Sequence, residues 1–438
     1  MARAFLQRIL ATSIEVVVNY EHFAHLYDES LDVPGYPLDR DIPEAEYHER
    51  VRRARESMRE AGLDALVVTS STIGQWFTGP LEPHEWHDLC PSRVAMYVLT
   101  ATDDVLYMTP TAGGEHFNTT RRSSWVSSIR AIVERTAPPR VEIWDLAQVP
   151  QIFDELGISS GRLGFELGDC MTLGLSIQDF MRLPELLPKA AILDGSPVFR
   201  RLMSVHTPLE IERVRRGCEA GVWIHEQVPR LLRPGMTERV LLEALADAFG
   251  QRYDRQYTYA PGGGWDVRNP ARADPNSYHT EITERRYERG DYVFRGWSGV
   301  HFRGYLADVD RACYVGLPTP EVQDLYRIAW ECNQAMAQAI RPGSRCCDVY
   351  AACARVEAQA GLGERQTGRV GHGLRNVGGL SVHPANETVL EPGMILSVEP
   401  MFPTIHGFFD LEDQYVVTEA GAEILHAPAP AELPRVDA

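Results

Sequence analysis

Four ionisable side chains, Asp308, His372, Glu399 and Glu412, each stand inside an apolar or glycine-rich run of this chain. Any fold that buries those runs must bury the charges with them. Glu399 lies in MILSVEP, directly after the turn-forming Glu391-Pro392-Gly393, so it is read as projecting from a short, mostly hydrophobic strand. Glu412 lies in FFDLEDQYVV, which reads as a second strand. A carboxylate buried without compensation costs several kcal/mol or titrates to neutral, so several in one core imply a shared cation or matching arginines. Oxygen ligands with one imidazole suit a divalent transition ion such as Mn, Fe, Co or Zn.

The chain has 438 residues, which predicts two domains. Its 43 basic against 61 acidic residues leave a net charge of −18 with no Lys/Arg-rich block, which argues against nucleic acid or an anionic membrane as partner and for a small-molecule substrate. The eight cysteines include the vicinal Cys346 and Cys347 but no paired CxxC motifs, as expected of reduced thiols in the cytoplasm. In the opening MARAFLQRILATSIEVVV, Glu15 interrupts the hydrophobic stretch and no A-x-A site follows, so a cleaved leader is not expected. No run approaches the ~20 apolar residues needed to span a bilayer.

Residues 1–42 read as an extension containing Pro34, Gly35 and Pro37. From Tyr47, the apolar positions Val51, Ala54, Met58 and Ala61 repeat at helical spacing up to Gly62, and LDALVVTS, RVAMYVLT and VLYMTP then read as strands of an α/β layer. Thr207-Pro208-Leu209-Glu210 predicts a capping box, which opens a second domain over 204–438 after a first over 43–203. There, helices starting near Thr237 and Thr319 alternate with the strand runs YVFRGW and RACYVG, an α+β pattern.

Taken together, GDYVFRGWSGVHFRGYLADVDRA, VGHGL, LEPGMILSVEPMF and LEDQYVVTEAG resemble, in order and spacing, the pita-bread family of methionine aminopeptidases, proline-specific peptidases and creatinase. SVHTPLEIERVRRGCEAG and RPGMTE resemble the opening of that catalytic domain, and EYHERVRRARESMREAGLDALVVTS resembles the domain that precedes it in creatinase and the prolidases. The resemblance implies an α/β N-terminal domain of creatinase/prolidase type and an α+β pita-bread catalytic domain. It also implies a homodimer.

Two-metal members of that family use five ligands: Asp, Asp, His, Glu and Glu. Four match Asp308, His372, Glu399 and Glu412, whereas the first Asp falls at Gly296 or Trp297, and no carboxylate lies between Asp291 and Asp308. The resemblance therefore implies one ion, with a metal-free site of the creatinase kind as the alternative. His279 matches a family histidine that serves as hydrogen-bond donor or acid/base, and Asp310 matches an acid that contacts a cationic substrate in creatinase. A pair with Arg303 or Arg311 is the other reading of Asp310. His383 is set against the family's second histidine, although its separation from His372 is several residues longer. Trp265, in the aromatic loop YTYAPGGGWDVRNP, is placed in the pocket wall, and the His84-to-Asp88 run in a surface loop.

The function the resemblance implies is metal-assisted hydrolysis of an amide or amidine-type C–N bond in a specialised small substrate, with Glu399 relaying a proton and His279 stabilising the developing oxyanion or protonating the leaving nitrogen. Three alternatives stay open: an Xaa-Pro peptidase, a lyase acting on a small carboxylate such as dimethylsulfoniopropionate, and a non-catalytic binding protein.

Overall fold

The computed structural model describes residues 42–437 apart from 80–95, 103–105, 111–124, 127, 133, 138–139, 145, 170, 261–264, 273–277, 280–281, 297, 363–367 and 375–379. The first 41 residues, the His84-to-Asp88 run, the glycines at 262–264 and Trp297 thus lie outside the described residues. The packing of Cα atoms divides the chain into two units, one ending at Leu202 and the other starting at Met203.

In the N-terminal unit, α1 (Glu44–Ala61) buries Tyr47, Arg50, Val51, Ala54 and Met58 and stops at Gly62, whose φ of 64° is the left-handed cap that glycine adopts without strain. Next come β1 (Ala65–Val68), α2 (Ser71–Thr78), β2 (Met96–Thr100), β3 (Leu106–Pro110) and β4 (Ser128–Ile132). A ribbon of β5 (Glu134–Ala137) and β6 (Arg140–Trp144) leads to α3 (Val149–Glu155), β7 (Arg162–Phe165), α4 (Ile177–Leu186), β8 (Ala191–Asp194) and α5 (Ser196–Ser204). One sheet runs in the order β4-β3-β2-β1-β7-β8, and Val67, Val98, Phe153, Leu163, Phe165 and Leu183 pack in its core.

The C-terminal unit opens on α6 (Pro208–Leu231). The Thr207 hydroxyl accepts from the Glu210 amide while the Glu210 carboxylate accepts from the Thr207 amide, the predicted reciprocal cap. After α7 (Glu238–Arg252) come β9 (Tyr257–Tyr259), β10 (Trp265–Arg268), β11 (Tyr278–His279), β12 (Tyr292–Arg295), β13 (Val300–Phe302), β14 (Tyr305–Leu306) and β15 (Arg311–Val315). The packed pair α8 (Pro320–Ala339) and α9 (Cys346–Gln359) comes next. The chain ends with β16 (Gly371–Gly373), β17 (Ile395–Val398), β18 (Phe402–Thr404), β19 (Gly407–Phe409), β20 (Asp413–Thr418), β21 (Gly421–Ile424) and β22 (Arg435–Val436).

Two sheets carry the four ionisable residues at or near their strand ends, β11-β10-β12-β15-β22 and β16-β17-β20-β21. Val214, Ile224, Leu241, Val293, Ile395 and Val416 belong to one buried cluster, which joins α6 and α7 to strands of both sheets. FFDLEDQYVV is not one strand. It is split into β19 and β20, and Asp410, Leu411 and Glu412 leave the ladder between them. The Glu412 carbonyl is taken instead by the Asp310 amide at 3.4 Å and the Arg311 guanidinium at 2.7 Å, so the Glu412 segment is held by bonds from outside its own sheet.

A candidate metal centre at the strand ends

Strand register brings three of the four residues together. In β16, His372 lies opposite Ser397 of β17, and Ser397 lies opposite Gln414 of β20. Directly paired residues share a face, and so do residues two apart along an extended chain, which puts Glu399 and Glu412 on the His372 side of this sheet. Glu399 is the first residue past β17 and Glu412 the last before β20, so both carboxylates leave at the same end. Asp308 arrives from the other sheet, just ahead of β15.

The resulting cluster centres on an imidazole. His372 Nε2 lies 3.4 Å from Asp308 Oδ2, 3.7 Å from Glu399 Oε1 and 3.7 Å from Glu412 Oε1. Candidate ligand atoms of Asp308, His372 and Glu412 all fall within 4.8 Å of one another. Glu399 stands slightly apart from that trio, with its Oε1 also 3.3 Å from Arg369 Nε. On the far side of the imidazole, Nδ1 is 2.9 Å from the Gly373 carbonyl. A carbonyl only accepts, so Nδ1 carries a proton and Nε2 is the ring atom that faces the carboxylates, the orientation a metal ligand requires.

Burial raises the Asp308 carboxyl above its ordinary range, although His372 and Arg369 draw it back down. Glu412 is pushed well up, first by burial and then by the nearby Asp308, Asp310, Glu399 and Asp410. The Glu412 Oε1 atom is fully buried and, among the described residues, receives no hydrogen bond. Crowded acids that resist ionisation, beside an imidazole with its Nε2 turned inward, suit a divalent cation chemically.

Gly296 follows β12 and is buried; a Cβ placed on it would lie 3.3 Å from Asp310 Oδ2. An acid at this position would face Asp310, and none is present. Arg311 binds the Asp310 carbonyl at 2.9 Å and pairs with the buried Asp413 at 2.8 Å. Arg303 Nε donates to Gln256 Oε1. Asp310 itself is 6% exposed.

The other anticipated residues are placed as follows. His279 pairs with Trp265 across β11 and β10, and Trp265 pairs with Arg295 of β12, so all three share the rung next to Gly296. His383 lies two residues beyond Ser381, which bridges to His372, and its Nδ1 accepts the Ala385 amide. His301 belongs to β13, opposite Thr258. Arg369 was not anticipated. Its one signal in the sequence is a charge three residues ahead of His372 within a glycine-rich run.

A model described as Metallopeptidase family M24 matches residues 212–419, and one described as Creatinase/Prolidase N-terminal domain matches 50–205. The chain is 34% identical over 260 residues to the probable dipeptidase PepE of Mycobacterium tuberculosis, covering 56% of this chain and 66%, just under two thirds, of that relative. It is 26% identical to a Bacillus creatinase over 85% of this chain and 89% of the relative. Among solved structures, dipeptidase PepE from Mycobacterium ulcerans superposes with a TM-score of 0.72 at 25% identity, covering 90% of this chain and 99% of that one. The fold is also that of an Xaa-Pro dipeptidase from Bacillus anthracis, with a TM-score of 0.69 at 20% identity over 89% and 99% of the two chains.

Proposed function

Because the chain belongs to metallopeptidase family M24 and carries a creatinase/prolidase N-terminal domain before it, we propose that it hydrolyses a C–N bond in a small substrate with one divalent transition ion. Asp308, His372, Glu399 and Glu412 would hold that ion. The observation that carries this reading is the gathering of three carboxylates around His372 Nε2, together with a glycine, Gly296, facing Asp310. When bound, an ion at this place supplies Lewis acidity, polarising the scissile group and acidifying water.

The remaining steps belong to the chain. Glu399, at the rim of the cluster and in contact with Arg369, is the group to accept a proton from water and pass it on. His279, paired with Trp265 across β11 and β10, would donate to the leaving nitrogen, and Trp265 and His383 would contact the substrate. Asp310, nine-tenths buried next to the side-chain-free Gly296, receives a cationic nitrogen of the substrate. A dipeptide with a free ammonium group has that chemistry, and so does a guanidino compound. The similarity to a probable dipeptidase and to a creatinase supports this substrate range.

The test begins with metal content: protein purified without added metal should carry about one equivalent of a transition ion, and two equivalents or none would reject the reading. On a panel of dipeptides and guanidino compounds, product masses should sum to substrate plus water; an elimination product would reject hydrolysis. With a responding substrate, Glu399→Ala should lower kcat by roughly 10²- to 10⁴-fold.

A further inference from the structure

Beneath the ligand cluster lies a side chain that touches none of the reacting positions. Gln414 is fully buried in β20, on the rung of Ser397 and His372. Its Oε1 accepts the Asp308 backbone amide at 3.1 Å and the Cys218 thiol at 2.8 Å, while its Nε2 donates to Ser397 Oγ at 3.1 Å. Its own amide donates to His426 Nε2 at 3.1 Å.

The donors dictate which end of the side-chain amide is which. An N–H and a thiol converge on one end, so that end is oxygen, and the NH₂ must face the serine. Cys218 remains a donor because burial, reinforced by Asp308, pushes its thiol well up. Asp308 lies outside the strands, between β14 and β15, so its amide has no ladder partner to hold it. The side chain of a residue in the sheet that carries His372 and Glu412 supplies that hold.

The geometry points to Gln414 as a positioning residue: it clamps the Asp308 segment of one sheet to the His372–Glu399–Glu412 end of the other and so sets the ligand spacing. This rests on the one-ion reading of the site, but the clamp on Asp308 can be measured without an ion. Removing the acceptor leaves a backbone N–H, a thiol and a hydroxyl in the core with a partner lost. Asp308 is then free to drift relative to His372.

The experiment compares the full chain with Gln414→Met, which fills similar space without donor or acceptor, and with Gln414→Glu, which keeps the acceptor. Hydrogen exchange of the metal-free proteins is read on the peptide covering residues 306–311, and Zn²⁺ or Mn²⁺ affinity by competition with a chelator. Gln414→Met should speed Asp308-segment exchange by about tenfold while β17 and β20 exchange as in the parent. It should also weaken ion binding by about 10- to 100-fold, the range for an outer-shell partner. Gln414→Glu should keep the segment protected, a rescue that a purely structural role would not show. Parent-like exchange and affinity in Gln414→Met would overturn the assignment. If the parent takes up no ion, the one-ion reading fails by itself, and unchanged exchange in Gln414→Met still decides against the clamp. Should Gln414→Met not fold, Ser397→Ala, which deletes the anchor of the Gln414 NH₂, is read by the same two measurements.

Discussion

Burial drives the His426 imidazole down to about 4, opposed by Asp413 and helped by Arg311. An unfolded chain would protonate it near 6.5. Between those two values the unfolded state binds a proton that the folded state refuses, so stability is complete above about pH 6.5 and is lost as pH falls toward about 4. The full shift corresponds to roughly 3 kcal/mol. A glutamine at this position keeps a polar side chain but cannot titrate, which isolates the effect. In urea unfolding of metal-free protein, His426→Gln should lose less stability than the parent between pH 7.5 and 5. Equal losses would show that His426 is not the source. His225, buried and lowered well below its ordinary value, keeps the same sign of pH dependence in both proteins. At this scale the four candidate ligands could be singled out because each puts a charge where its neighbours are apolar. Gln414 and Arg369 were not, since an amide or an arginine in a sequence says nothing of what it meets across the fold.

Elements were read from periodicity and caps, which are local, and these carried over where local rules decide. The Thr207–Glu210 box and the Gly62 terminus are examples. FFDLEDQYVV failed as one strand because its middle is held by Asp310 and Arg311, partners remote in sequence. The same remoteness gives Gly371 its importance. A Cβ there would collide with the Ser397 carbonyl and press Val382 at 3.0 Å, so β16 and β17 could not keep the spacing that presents His372. Gly371→Ala should cost about 1–3 kcal/mol in urea unfolding, as overpacking does, and reduce ion uptake. Gly250, helical in α7 with nothing within 4 Å of its would-be Cβ, makes the contrast: Gly250→Ala should gain up to about 1 kcal/mol and leave ion uptake as it was. Equal effects at the two positions would refute the packing argument.

At the scale of the whole molecule, length predicted two domains, and the chain does separate into two compact units, with every candidate ligand in the second. The absence of a carboxylate between Asp291 and Asp308 is visible in the sequence, whereas the closeness of Gly296 to Asp310 needed the fold. Linkage now makes a whole-chain prediction. An ion that binds only the folded site stabilises the unit containing it, by about 2.7 kcal/mol at a hundredfold excess over its dissociation constant. Calorimetry of the full chain should therefore show that added Zn²⁺ or Mn²⁺ raises the transition belonging to residues 203–438, while the transition of the N-terminal unit moves less. His372→Ala removes the imidazole at the centre of the cluster and should abolish the ion-dependent shift while leaving the N-terminal transition in place. A shift that survives His372→Ala, or one confined to the N-terminal unit, would mean that the ion is held by other residues.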